Sequence, residues 1–116
     1  MDTHMAVIFL TSRPKALLSK FKKAIDDGHV TTWTYDVDGD FTHTPDQWRN
    51  KAWLRPRTSD GRLVLNTLPP ASRPISRQVY GVYHGRFVES MLVHCDDGFS
   101  QGYATALPTG ADNTGA

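Results

Sequence analysis

Between Ser76 and Cys95 the chain concentrates its reactive side chains: Tyr80, Tyr83, His84, Arg86, Glu89, His94 and Cys95. Tyr80 and His84 are spaced i, i+4, as are Tyr83 and Phe87, so on a helix each pair shares a face one turn apart. A tyrosine and a histidine converging on a pocket would serve acid–base chemistry, or would hold a small anion together with Arg77. The same residues also describe a hydrogen-bonded core histidine beside a packed aromatic, and that account needs fewer assumptions. Tyr80, His84, Arg77 and Tyr83 are the candidate ligand-binding residues. Tyr80, His84 and Glu89 form the candidate centre of a small enzyme, and no residue is assigned a catalytic role.

Metal and cofactor chemistry find less support. His94, Cys95 and Asp96 are three ligand types in a row, but consecutive helical residues point about 100° apart and cannot close on one ion. A site there would need His43 or His29 brought in by the fold. The run Asp36-Val37-Asp38-Gly39-Asp40 resembles the start of a calcium loop, yet Phe41 stands where the loop's glycine belongs and Gln47 where its glutamate belongs. It reads as a hairpin turn. No glycine-rich phosphate loop, nucleophile elbow or dinucleotide fingerprint follows the first strand. Neither a cofactor nor a metal is expected.

A second grouping is cationic. With a strand from about Asn50 to Arg57, the alternation puts Arg49, Lys51, Trp53, Arg55 and Arg57 on one face and Ala52, Leu54 and Pro56 on the other. Phosphate contacts beside an aromatic ring are one way single-stranded nucleic acid is held, so these five residues are the candidate nucleic-acid surface. Against it, neighbouring strands carry no matching aromatic platform and the formal charge of the chain is only +1. Long side chains covering an open sheet face explain the pattern more simply.

The elements that position these groups follow from periodicity. Met5 to Leu10 is apolar on both strand faces, as a central strand is. Pro14 suits a first helical turn with Ser12 as its cap, and Leu17, Leu18, Phe21, Ala24 and Ile25 form one stripe up to Gly28. Val30 to Val37 and Phe41 to Thr44 alternate around Asp38-Gly39. Arg57 and Arg62 flank Ser59-Asp60-Gly61, a second hairpin; a two-residue turn there sets Trp53 opposite Leu68, Leu54 opposite Thr67 and Arg55 opposite Asn66. Pro56 marks that first strand as an edge. A stiff connection from Pro69 to Pro74 leads to the long helix, capped by Ser76 and ended by Asp96-Asp97-Gly98. Phe99 to Leu107 alternates once more, with small residues on one face. Residues 1–4 and 109–116 read as a disordered start and tail around a single domain over 5–108.

Strand, helix, four strands, helix, strand, joined mostly by hairpins, predicts an α+β domain: a mainly antiparallel sheet of five to six strands with two helices on one face. The order resembles a ferredoxin-like pattern with an inserted hairpin. Gly81 and Gly85 lie one turn apart in the long helix, each costing about 1 kcal/mol relative to alanine. Two reasons compete for them. One is close packing against Gly102 and Ala104. The other is a seam against the same helix of a second protomer, with Gly81, Gly85, Val88 and Leu92 as the interface.

Cys95 is the only cysteine, no signal-peptide pattern opens the chain, and no apolar run reaches membrane length, so a cytoplasmic protein without membrane contact is expected. The expected function is that of a small non-enzymatic domain that forms a homodimer and binds a small ligand or protein partner in the cleft between sheet and long helix. A nucleic-acid-binding module and a small enzyme are the alternatives.

Overall fold

The computed structural model describes residues 6–71 and 74–106. The expected disordered segments over 1–4 and 109–116 lie outside the described residues, as do Ser72 and Arg73 of the proline-rich connection. In chain order the elements are β1 (Ala6–Leu10), α1 (Pro14–Asp26), β2 (Trp33–Tyr35), β3 (Phe41–His43), β4 (Trp53–Ser59), β5 (Arg62–Leu68), α2 (Arg77–His94), a short 3-10 turn (Asp96–Gly98) and β6 (Gln101–Ala104). This is the α+β order that the periodicity predicts.

One six-stranded sheet runs β2-β3-β4-β5-β1-β6, with every neighbouring pair antiparallel. It follows that β1 and β4 are parallel with β5 between them, and that β5 and β6 are parallel with β1 between them. Each parallel pair is connected through a helix, giving two interlocked split β-α-β units. The β2–β3 hairpin is spliced in after α1 and extends the sheet at one edge. Both helices pack on the same face, where Val7, Phe9, Leu54, Leu63 and Leu65 meet Leu17, Phe21, Phe87 and Met91. The other face of β1 and β5 buries a smaller cluster of Ala6, Ile8 and Val64. The two-sided burial anticipated for β1 is therefore present.

Local chemistry accounts for most boundaries. Pro14 opens α1, but Ser12 is not its cap: Arg13 occupies the cap position without a side-chain bond, and Thr11 Oγ1 accepts from the Arg13 amide instead. The β4–β5 turn is the two-residue Asp60-Gly61, with Gly61 at φ 80°. That turn yields the anticipated register, Trp53 with Leu68, Leu54 with Thr67 and Arg55 with Asn66. The β2–β3 turn is longer than two residues, because the Asp36 carboxylate accepts from the amides of Asp38 and Asp40 and closes a loop over residues 36–40. Val37 is therefore fully exposed in the turn rather than continuing β2.

Three expectations are corrected. Asn50 takes a left-handed conformation (φ 58°), which breaks the strand before Trp53 and leaves Arg49 and Lys51 in the preceding turn. β4 is an internal strand, yet its registered pairing with β3 is confined to Leu54 opposite Phe41, so Pro56 pairs with Leu65 alone and no ladder bond is lost. The small face of β6 does not receive Gly81 and Gly85. A Cβ on Gly102 would lie 2.8 Å from the Phe9 ring, and Phe99 packs edge-on against Phe9 beside it.

Candidate functional site

α2 organises the site as it organises the core. Ser76 Oγ accepts from the Val79 amide and starts the helix. Tyr83, His84, Phe87 and Met91 are buried on its inner side, and Cys95 is buried just past its end. The aromatic rings interlock there: Phe87 meets Phe9, Phe21, Trp33 and Phe41, and Tyr83 meets Trp33 edge-on with centroids 5.5 Å apart. The tyrosine hydroxyl donates to the Trp48 carbonyl and is hydrogen-bonded to the Thr42 hydroxyl. This tyrosine thus ties α2 to β3 and to the loop before β4.

His84 is held in the interior at both ring nitrogens. It is 2% exposed. Its Nδ1 lies 2.6 Å from the Tyr80 carbonyl, which can only accept, so Nδ1 carries the proton and Nε2 takes the Thr67 hydroxyl at 2.6 Å. Burial penalises the imidazolium and lowers the pKa to about 4, opposed by the Tyr80 carbonyl. The Tyr80 ring sits over the imidazole with centroids 3.8 Å apart. Tyr80 and His84 are together as their spacing implies. However, His84 and Tyr83 are enclosed in protein, Arg77 is exposed in the first turn, and Glu89 is exposed on the outer side. The fold does not gather Tyr80, His84 and Glu89 around a common opening.

Cys95 is buried, and burial raises its thiol pKa, so it lacks the thiolate character of a nucleophile. Among the described residues, Asp36, Asp38 and Asp40 make the one cluster of acidic, histidine or cysteine ligands close enough for an ion. Two of its three carboxylates are already engaged: Asp36 holds the turn, and Arg55 grips buried Asp40 with Nε at 3.0 Å and Nη2 at 2.8 Å. The same contact spends the charge of one candidate nucleic-acid residue. Arg57 bonds Asn66 Oδ1, and Arg49 reaches the Thr44 carbonyl from its turn. Trp53, Arg55 and Arg57 share a strand face; Arg49 and Lys51 do not join them.

His43, named in the sequence only as a ligand that a metal site at His94-Cys95-Asp96 would need, is placed elsewhere, in β3. It is buried in the β2–β3 hairpin, its ring 4.5 Å from that of Trp33, with Nδ1 donating to the Thr32 carbonyl. Burial lowers its pKa too, opposed by the Thr32 carbonyl. Its Nε2 and the indole nitrogens of Trp33 and Trp48 are buried without hydrogen-bond partners. The alternation of Phe41 with His43 was the signal that it faced inward.

The outer side of α2 differs from everything beneath it. Gly81, Val82, Gly85, Arg86 and Glu89 line a shallow hollow. A Cβ built on Gly81 or Gly85 would touch nothing within 4 Å, and neither residue has a positive φ. Beyond the hollow, Leu92 is 52% and Val93 68% exposed. Two more hollows flank the start of α1, around Arg13, one of them lined in part by the Lys20–Asp97 ion pair.

No family model, curated protein or solved structure matches this chain. Function must be argued from these surfaces alone. No described helix is long and apolar enough to cross a membrane.

Proposed function

We propose that this chain is a small non-enzymatic domain that associates with a second copy of itself through the outer side of α2. The observation that carries this is the placement of Gly81 and Gly85. Each weakens the helix by about 1 kcal/mol relative to alanine. Inside the protomer nothing is gained in return, because both glycines are helical, exposed and free of any neighbour that a methyl group would strike. A requirement for glycine there lies outside the protomer, in a surface that must come close to the helix backbone. Exposed Leu92 and Val93 on the same side provide apolar area for such a contact.

A ligand in the cleft beneath α2 is less well supported, since the inner residues of that helix are packed against the sheet. A protein partner on the outer surface accords with the geometry better. A cytoplasmic setting belongs to the same proposal and is supported by the lone, buried, unbridged cysteine.

The test is the mass of the native protein in solution by light scattering, from low micromolar concentration up to the solubility limit. A concentration-dependent dimer that Gly85→Leu abolishes, with unchanged far-ultraviolet circular dichroism, is expected. A native protein that stays monomeric at every concentration refutes the proposal.

A further inference from the structure

We infer that the two copies meet with their α2 helices antiparallel, about a two-fold axis passing midway between residues 86 and 87. This rests on the reading that the outer side of α2 is where copies meet, and it adds orientation, register and the residues that select them.

At 100° per residue, Gly81, Gly85, Val88 and Leu92 fall along one seam of the helix. The seam has an internal complementarity. Its first half has vacancies at Gly81 and Gly85, spaced i, i+4, and its second half has side chains at the same spacing, exposed Leu92 and half-buried Val88, which also packs against the core. An antiparallel partner sets vacancy against side chain: Gly81 receives the partner's Leu92 and Gly85 receives the partner's Val88, both satisfied by the one axis. A parallel partner sets glycine near glycine and leucine near leucine, leaving the half-exposed Leu92 with no vacancy to enter.

Charge selects the same orientation. Arg86 and Glu89 lie on one flank of the seam and line the same hollow. In an antiparallel two-fold pair each flank meets its own copy, so Arg86 approaches the partner's Glu89 and Glu89 approaches the partner's Arg86. In this register the two are offset by two residues, about 3 Å along the axis at the helical rise, within reach of both side chains. Parallel helices would place this flank against the opposite one and leave both charges without that exchange.

Charge reversal tests the pairing. Arg86→Glu and Glu89→Arg alone each turn two attractions into two repulsions and are expected to raise the dimer dissociation constant about tenfold. An equimolar mixture of the two variants, or the double variant R86E/E89R, is expected to restore it. Cross-linking gives an independent reading. Residues 81 and 92 of one helix are about 16 Å apart along the axis, too far for a disulfide within a chain. Under mild oxidation, Gly81→Cys with Leu92→Cys should therefore give a covalent dimer, and Gly81→Cys alone should not. A covalent dimer from Gly81→Cys alone means parallel helices and overturns the inference. So does a native dimer indifferent to both charge reversals, although self-association then stands. A native monomer removes both.

Discussion

Lowering the pH from 6.5 towards 4 should destabilise this protein, and His84 sets most of the effect. Its folded pKa of about 4 lies below the ordinary histidine value of 6.5. As pH falls through 6.5 the unfolded chain takes up the proton while the folded chain refuses it, so stability declines with falling pH down to the folded value. The stability is present above the unfolded pKa and lost below it. The difference between 6.5 and about 4 corresponds to about 3 kcal/mol. His43 is shifted in the same direction and adds to the slope. A loss of about 3 kcal/mol is a large share of the 5–15 kcal/mol typical of a domain.

Urea denaturation at a series of pH values from 7.5 to about 4, at constant ionic strength, measures the slope directly. His84→Gln serves as the control: it has no titrating group, so its stability curve should be flatter across this window even if its absolute stability is lower. The imidazole carbon-bound proton resonances of His84 should move with a midpoint below about 5. If native stability is level between pH 6.5 and 4.5, or if His84 titrates near 6.5, the account of a neutral imidazole locked between Tyr80 and Thr67 is wrong.

Other consequences are local. Arg55→Ala leaves the buried Asp40 carboxylate without its two-bond partner and should cost about 2 kcal/mol in urea denaturation; no measurable cost would mean that Asp40 is hydrated through another route. Gly102→Val forces a branched side chain onto the Phe9 ring and should cost about 1–3 kcal/mol, whereas Gly81→Ala should leave the dilute monomer no less stable than native. Ser76→Ala removes the α2 cap and should lower stability by about 1 kcal/mol, read from the denaturation midpoint.

Much of the fold was legible because local signals agreed with the global arrangement. Asp60-Gly61 fixes the hairpin length, and the length fixes the register of β4 on β5. Sheet order was not legible, because the pairing of β1 with both β5 and β6 is settled by tertiary packing over long separations. The break at Asn50 was missed because a left-handed asparagine has no period of its own, and so two of the four cationic residues were put on a face they do not share. The glycines of α2 were legible as an anomaly but not in direction. Spacing says that Gly81 and Gly85 share a face, whereas only the position of Phe9 against Gly102 shows that the small residues of β6 already have their neighbour. The burial of His43 was missed because one inward histidine in a three-residue strand resembles any other alternating position.

The residues that look most like chemistry in the sequence are the ones the fold uses for packing. An 18-residue helix laid across a twisted sheet leaves room that large rings fill, and Trp33, Tyr83, Phe9, Phe21, Phe41 and Phe87 fill it. Once Tyr83 and His84 are placed in such a layer, each must hand its polar atoms to neighbours, since an unpaired buried group costs about 1–3 kcal/mol. Tyr83 gives its hydroxyl to Trp48 and Thr42; His84 gives both nitrogens to Tyr80 and Thr67. Those bonds engage the Tyr83 hydroxyl and both His84 nitrogens within the core. What the core does not explain is left outside: two glycines that weaken a helix, two exposed aliphatic side chains, and an arginine and a glutamate one turn apart. A second α2, run in the opposite direction as proposed, would give the two glycines, Leu92, Arg86 and Glu89 a physical reason.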